Sequence, residues 1–222
     1  MTQRALIIGA SGGIGRALVA HYEALGWEVV GLSRSGTGLD VTDEDNLQRA
    51  FDALEGAFDL IMVATGALEI DGAAPEKALK QITAQAMMDQ FALNAIGPAL
   101  CLKHGARLLA KDRRAVFAVM SARVGSIGDN RMGGWHSYRA AKAAVNQIVH
   151  GGAIEIARSH KQAIVVALHP GTVKTAFTQK YLGRHPAVEP AEAAAHLANV
   201  MAGLVPAQSG QFFDWAGKVV PW

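Results

Sequence analysis

Tyr138-Arg139-Ala140-Ala141-Lys142 sets a phenol and an ammonium four residues apart, which on a helix puts both on one face. A phenol with its ordinary pKa of about 10 is a poor acid or base at neutral pH. A cation within about 4–6 Å stabilises the phenolate and brings that pKa down. The pair therefore predicts a usable proton donor or acceptor at Tyr138, tuned by Lys142. A second cluster, Gly9-Ala10-Ser11-Gly12-Gly13-Ile14-Gly15, follows an apolar run over 5–8. A strand that enters a glycine turn and then a helix brings backbone N–H groups and the positive helix end toward one point, which suits a pyrophosphate. The spacing Gly9-x-x-x-Gly13-x-Gly15 departs from G-x-G-x-x-G. After the next predicted strand the chain reads Leu32-Ser33-Arg34, where a site for an unphosphorylated ribose would carry an acid. The planar fork of Arg34 suits a 2′-phosphate that an acid would repel. Turn and arginine together point to NADP(H).

These groups need a scaffold that brings residues 9, 34 and 138 to one edge. Branched apolar runs predict strands over 5–8, 28–32, 58–64, 116–120 and 164–168, with a short closing strand over 211–214. Helices are expected over 14–25, stopped by Gly26, and from Thr42, whose hydroxyl would cap the first turn with Asp45 three residues on. Further helices are expected over 83–109, interrupted near Gly97-Pro98, over 137–158, and over 189–201 with Pro190 in the first turn. Such alternation predicts an α/β fold of the Rossmann type, a single doubly wound parallel sheet with helices on both faces. Residues 125–136 and 170–190 are the least regular stretches, and long loops in a compact domain often carry function.

Composition narrows the functional classes. The 222 residues suit one domain over 1–222. Half are hydrophobic and 18% are charged, against roughly 25% in typical soluble domains, which excludes disorder and implies a core covered on several sides. The formal charge of +2 is too small for a phosphate-tracking surface or a polybasic patch, and no apolar run approaches the roughly 18 residues of a spanning helix. Neither nucleic acid nor a membrane is expected as a partner. Cys101 stands alone among apolar residues, so it reads as a core group in a reducing, cytoplasmic setting. The eight histidines, including His104, His136 and His169, lack metal-ligand spacing, and no metal is expected. The 24 glycines exceed the usual share of about 7%, and many fall in the 9–15 turn and in the loop just ahead of Tyr138.

In chain order, the glycine turn, Asp40-Val41, Asn94, serines before a loop, Tyr138 with Lys142, and Pro170-Gly171-Thr172-Val173-Lys174-Thr175 closely resemble the short-chain dehydrogenase/reductase family. Residues 123–130 and 133–139, with Asp214-Trp215-Ala216-Gly217-Lys218 and Trp222, are similar to its C-factor and sniffer-type carbonyl reductase branch. The resemblance implies that Gly9, Ser11, Gly13, Ile14 and Gly15 hold the cofactor diphosphate and that Asp40 and Val41 lie beside the adenine. Ala64 and Gly66 match a segment under the cofactor, although the family's Asn-Asn-Ala-Gly is reduced here to Val63-Ala64-Thr65-Gly66. Pro170, Val173 and Thr175 match positions beside the carboxamide. The implied proton relay has Asn94 holding a water, Tyr138 as general acid–base, and Lys142 also holding the nicotinamide ribose. The family's serine position, three residues before Gly125, is Ala122. Ser121 is the favoured substitute, provided the strand end twists or bulges; Ser126 in the loop is the other candidate.

The expected activity is NADP(H)-dependent interconversion of a small-molecule carbonyl and alcohol by hydride transfer, in a homodimer or homotetramer paired through Ala-rich helices. Ala122 and the missing asparagines leave an alternative, a nucleotide-binding sensor or signalling protein of the same fold with weak or no catalysis. The substrate pocket is expected to draw on Trp135, His136, Thr172, Lys174, Phe177, Tyr181 and Arg184.

Overall fold

The computed structural model describes residues 2–182 and 186–222, so Arg184 lies outside the described residues. Branched, apolar segments form six strands: β1 (Arg4–Ile8), β2 (Glu28–Leu32), β3 (Leu60–Val63), β4 (Ala115–Met120), β5 (Ala163–His169) and β6 (Phe212–Asp214). They pair in the order β2-β1-β3-β4-β5-β6, every pair parallel. Parallel strands need crossovers, and the chain supplies helices α1 (Gly13–Ala24), α2 (Arg34–Thr37), α3 (Glu44–Asp52), α4 (Ala84–Phe91), α5 (Gly97–Gly105), α6 (His136–Ile156) and α7 (Pro190–Gly203).

Residues of β4 alternate between two cores. Phe117 and Val119 join Phe51, Leu102 and Val149 under α3, α5 and α6. Val116, Ala118 and Met120 join Leu18, Tyr22, Leu197 and Met201 under α1 and α7. The doubly wound parallel sheet expected from the alternation is thus the one that forms. Because β1 sits between β2 and β3, the connections leave it in opposite directions, and a crevice opens at the carboxyl ends of β1 and β3. The predicted site residues follow those ends: Gly9 after β1, Arg34 after β2, Ala64 after β3, Ser121 after β4 and Pro170 after β5.

Three local expectations are corrected. Helix α3 is capped by Asp43, whose carboxylate accepts from Asn46 N at 3.0 Å; Thr42 instead donates its hydroxyl to Asp40 Oδ1 at 2.7 Å. The helix expected over 83–109 breaks upstream of Gly97-Pro98, in a π turn over Ala92–Ile96, and Pro98 sits in the first turn of α5. Strand β3 is shorter than 58–64: Phe58 forms a separate bridge to Leu109, while Ala64 N still donates to Ile8 O at 2.8 Å beyond its end.

Candidate active site

At the end of β1, Gly9 adopts φ +90°, a left-handed conformation that glycine takes without strain. Its N–H and that of Ala10 both donate to Leu32 O, at 2.8 and 3.1 Å, which ties the turn to β2. A Cβ on Gly15 would lie 2.1 Å from Gly9 O, so α1 can start this close to the strand only with glycine there. A Cβ on Gly13 would lie 2.6 Å from Thr175 Cγ2, which shows the segment after β5 resting on the cradle. Gly12 caps α1 without any side-chain hydrogen bond, leaving the first N–H groups of the helix toward the crevice. Ser11 is exposed and Ile14 half-buried beside it. Arg16, which sequence reasoning passed over, donates Nη2 to Ser11 O at 2.9 Å and puts an exposed guanidinium at the same turn. Thr65 Oγ1, next to the cradle, is buried and has no hydrogen-bond partner among the described residues. Glycine cradle, open helix end, arginine and orphan hydroxyl together fit a diphosphate-bearing cofactor.

Arg34 is the exposed first residue of α2, whose cap is the Ser33 hydroxyl accepting from Gly36 N at 3.1 Å. Asp40 is held below the usual carboxylate range by hydrogen bonds from the Thr42 hydroxyl and N–H, with the Arg34 charge adding to them. Val41 is buried against α5, where a Cβ on Gly97 would lie 2.8 Å from Val41 Cγ2. The residues predicted to surround a 2′-phosphate and an adenine therefore share one end of the crevice.

The π turn delivers Asn94 to the crevice floor, a recurrent use of such turns at functional sites. Its amide donates to Ala67 O at 2.9 Å and Gln90 Oε1 at 2.7 Å and accepts from Ala67 N at 3.2 Å. Asn94 thus fastens the segment after β3. A Cβ on Gly66 would lie 2.7 Å from Asn94 Oδ1 and 3.5 Å from Lys142 Nζ, so Ala64 to Gly66 runs between the cradle and the acid–base pair.

Tyr138 and Lys142 lie on one face of α6, 5% and 2% exposed. Lys142 Nζ donates to Met120 O at 3.0 Å and stands 5.8 Å from the Tyr138 ring centroid. Burial dominates both groups. It pushes the Tyr138 pKa up and the Lys142 pKa down to about 8. This runs opposite to the expected lowering of Tyr138 by Lys142: desolvation of the phenolate in the buried site dominates. Gly125 brings the loop onto α6, since a Cβ there would lie 2.7 Å from Lys142 Cβ.

Both candidate serines are hydrogen-bonded to other partners. Ser121 Oγ donates to Asn146 Oδ1 at 2.6 Å, one helical turn beyond Lys142. Ser126 Oγ donates to Pro221 O and accepts from Asp129 N at 3.1 Å. Ala122 is extended at φ −146°, ψ 143°, so its half-exposed methyl points away from the side that Ser121 occupies. The start of α6 is held by a residue that sequence reasoning missed. The Glu76 carboxylate accepts from Ser137 N at 3.2 Å and from the Ser137 hydroxyl, and Glu76 O accepts from Trp135 N at 2.5 Å. Burial alone would raise the pKa of Glu76, but the bonds from Ser137 outweigh it and hold the carboxyl below its ordinary value. Its only sequence signal is an acid next to Pro75.

The remaining expected pocket residues divide. Trp135, Phe177 and Tyr181 gather their rings near Tyr138. Lys174 pairs with Glu189 at 2.7 Å, and His136 opens α6. Val173 is buried and bridges to Val188, and Pro170 is buried at the end of β5. Burial pushes the Cys101 thiol up to about 12, in keeping with a core residue.

The family model described as enoyl-(acyl carrier protein) reductase matches residues 9–203. The 1-hydroxy-2-glutathionyl-2-methyl-3-butene dehydrogenase of Rhodococcus sp. (strain AD45) is 28% identical across 98% of both chains. The C-signal of Myxococcus xanthus is 34% identical over 61% of this chain and 78% of that protein. A structure from Burkholderia multivorans with bound NADP is 26% identical and superposes over the full length of both chains with a TM-score of 0.84. The carbonyl reductase Sniffer of D. melanogaster, 20% identical over the full length of both, shares the fold at a TM-score of 0.85. No helix of the described residues is long and apolar enough to cross a membrane. With the family model over residues 9–203 and these relatives, the chain belongs to the short-chain dehydrogenase/reductase family of oxidoreductases.

Proposed function

We propose that this chain is an NADP(H)-dependent oxidoreductase that interconverts a small-molecule carbonyl and an alcohol. It works as one domain over 1–222, in the cytoplasm, as a homodimer or homotetramer. The observation that carries the reading is the placement of Tyr138 and Lys142 across the crevice from a glycine cradle with an open helix end. The NADP in the Burkholderia multivorans structure supports the choice of cofactor. Gly9, Ser11, Gly13, Ile14 and Gly15 hold the diphosphate, Arg34 the 2′-phosphate, and Asp40 and Val41 the adenine. Ala64 and Gly66 lie beneath the cofactor, and Pro170, Val173 and Thr175 line its carboxamide. When bound, the nicotinamide exchanges a hydride with the carbon of the carbonyl or alcohol.

The chain's own part is proton chemistry. Tyr138 hydrogen-bonds the substrate oxygen and gives it a proton as negative charge develops there. Lys142, with a pKa of about 8, remains cationic at neutral pH and steadies the phenolate left behind. Asn94 holds the floor against which both work and serves the water in the relay. Ser121 enters through Asn146, on the Lys142 side, rather than as a donor to the substrate. Replacing Tyr138 by Phe is expected to cut NADPH-dependent reduction of a carbonyl panel about 10²–10⁴-fold while leaving NADPH binding, followed by its fluorescence, nearly unchanged. A wild-type rate in that variant would refute the assignment. A second reading, a nucleotide-binding signalling protein, draws on the engaged serine hydroxyls and on the likeness to C-signal. Tight NADPH binding without turnover across the panel would favour it.

A further inference from the structure

We infer that Asn146 is a positioning residue for the proton chemistry, acting through the end of β4 on Lys142, an inference that rests on the carbonyl-reducing reading above. Asn146 continues the stripe of α6 that carries Tyr138 and Lys142, at successive steps of four residues, and is 2% exposed. A buried amide is costly unless its donor and acceptor are both met. Here Oδ1 accepts from Ser121 Oγ at 2.6 Å, and Nδ2 faces Gly125 O at 3.5 Å. One side chain of the helix thus holds both ends of the turn over 121–125, the turn that contains Ala122.

Neighbouring residues of α6 grip the same turn. Lys142 Nζ donates to Met120 O at 3.0 Å; Arg139 Nη1 donates to Val124 O at 3.1 Å and its Nε to Gly134 O at 2.9 Å. A Cβ on Gly125 would lie 2.7 Å from Lys142 Cβ and 2.8 Å from Lys142 C, so the turn rests directly on the helix beside the lysine. Ser121 N donates to Leu168 O at 2.8 Å, which fixes the first residue of the turn to β5. Through the Ser121–Asn146 bond, side chains of the sheet and of α6 are joined at the level of the site.

Met120 and Ser121 are consecutive, so a shift of Ser121 carries Met120 O with it. That carbonyl is the acceptor for the buried Lys142 ammonium, the cation that steadies the Tyr138 phenolate. In a dry site the attraction between ammonium and phenolate is strong and depends on their separation. A displacement of about 1 Å in a reacting array costs up to about a hundredfold in rate. Asn146 itself exchanges no proton; it sets where the ammonium stands.

The test uses Ser121→Ala, Asn146→Val and the two together. With NADPH and para-nitrobenzaldehyde, each single variant should lose about tenfold in kcat with little change in the KM of the aldehyde. The double variant should lose no more than either single one, because all three break one bond. Urea midpoints should fall in both single variants, which strand one polar partner, and recover in the double, which removes both. The kcat of the double should stay low, and its recovery along with stability would make the pair merely structural and overturn the inference. Asn146→Val also frees the Ser121 hydroxyl. A kcat at or above wild type in that variant would return Ser121 to the substrate oxygen and likewise overturn the inference. Ser121→Ala conserves volume and carries the test if Asn146→Val does not fold. The readout without turnover is Lys142 itself, titrated by NMR in cofactor-free protein made with isotope-labelled lysine, its signal assigned by loss in Lys142→Met. Its pKa, about 8 in the wild type, should fall further in each single variant as the bond to Met120 O loosens. A wild-type titration in both would overturn the inference whatever the rates. A shifted titration in protein that reduces no aldehyde, wild type included, would uphold the placement and overturn the carbonyl-reducing reading.

Discussion

At the cofactor cradle, position is set by backbone packed on backbone: Gly15 sits against Gly9 O, and Gly9 and Ala10 hang on Leu32 O. On the substrate side, position is set by side chains reaching across the sequence. Glu76 reaches 61 residues to Ser137, and Ser126 reaches 95 residues to Pro221. The first arrangement has no slack, because a single added carbon meets a carbonyl oxygen. The second is a set of separate bonds, each of which can be lost without the rest. The cradle should therefore fail abruptly and the substrate side by degrees.

Gly15→Val is the most direct attempt to break that contrast. A Cβ 2.1 Å from Gly9 O forces strand and helix apart, and overpacking of this kind costs about 1–3 kcal/mol. NADPH affinity should fall by more than about a hundredfold, because the N–H groups no longer converge. A fluorescence titration with Kd within threefold of wild type would show that the cradle has slack after all. Lys142→Met probes the junction of the two halves. Its kcat should fall about a hundredfold with the loss of phenolate stabilisation. Stability should move the other way. Lys142 has a folded pKa of about 8 against an ordinary 10.5, so its burial penalty is full below pH 8 and vanishes as pH rises through that window. At pH 7 the methionine variant should be more stable by about 2 kcal/mol, after subtracting the bond to Met120 O, and urea titrations should converge near pH 11. Equal stabilities at pH 7 would mean that the ammonium is not desolvated.

The same contrast explains what could be read from residue order. The parallel sheet followed from branched runs at β1, β3, β4 and β5, because burial on both faces leaves a continuous apolar signature. The cradle, Arg34 and the Tyr138–Lys142 spacing are local, and local patterns survive in sequence. The bond from Ser121 to Asn146 could not be read because its partner is 25 residues away on another element. The pKa direction of Tyr138 was misjudged because spacing reports a neighbouring charge but not how dry the pocket is. Glu76 was invisible for both reasons. The irregularity near Gly97-Pro98 was legible, but not its form: a π turn over Ala92–Ile96 that carries Asn94, bonded across the crevice to Ala67, a tertiary contact.

Smaller effects sharpen the comparison within each half. Arg34→Ala removes one charge-assisted phosphate contact and leaves the glycine turn intact. NADPH should lose about tenfold to a hundredfold in kcat/KM while NADH is unchanged, and a parallel loss with NADH would place Arg34 outside the 2′-phosphate site. Glu76→Gln is the mildest. The amide can still accept from Ser137, so only the charge at the start of α6 is lost, a cost of about 1 kcal/mol. Because the folded pKa lies below the ordinary value, that stabilisation is present above the unfolded pKa and is lost as pH falls through the folded one. The wild-type advantage in thermal unfolding should therefore hold at pH 7 and fade in acid. A KM rise with kcat nearly unchanged would then mark Glu76 as a positioning residue for the Trp135 ring; a kcat loss without a KM change would mean that it acts on Tyr138 instead.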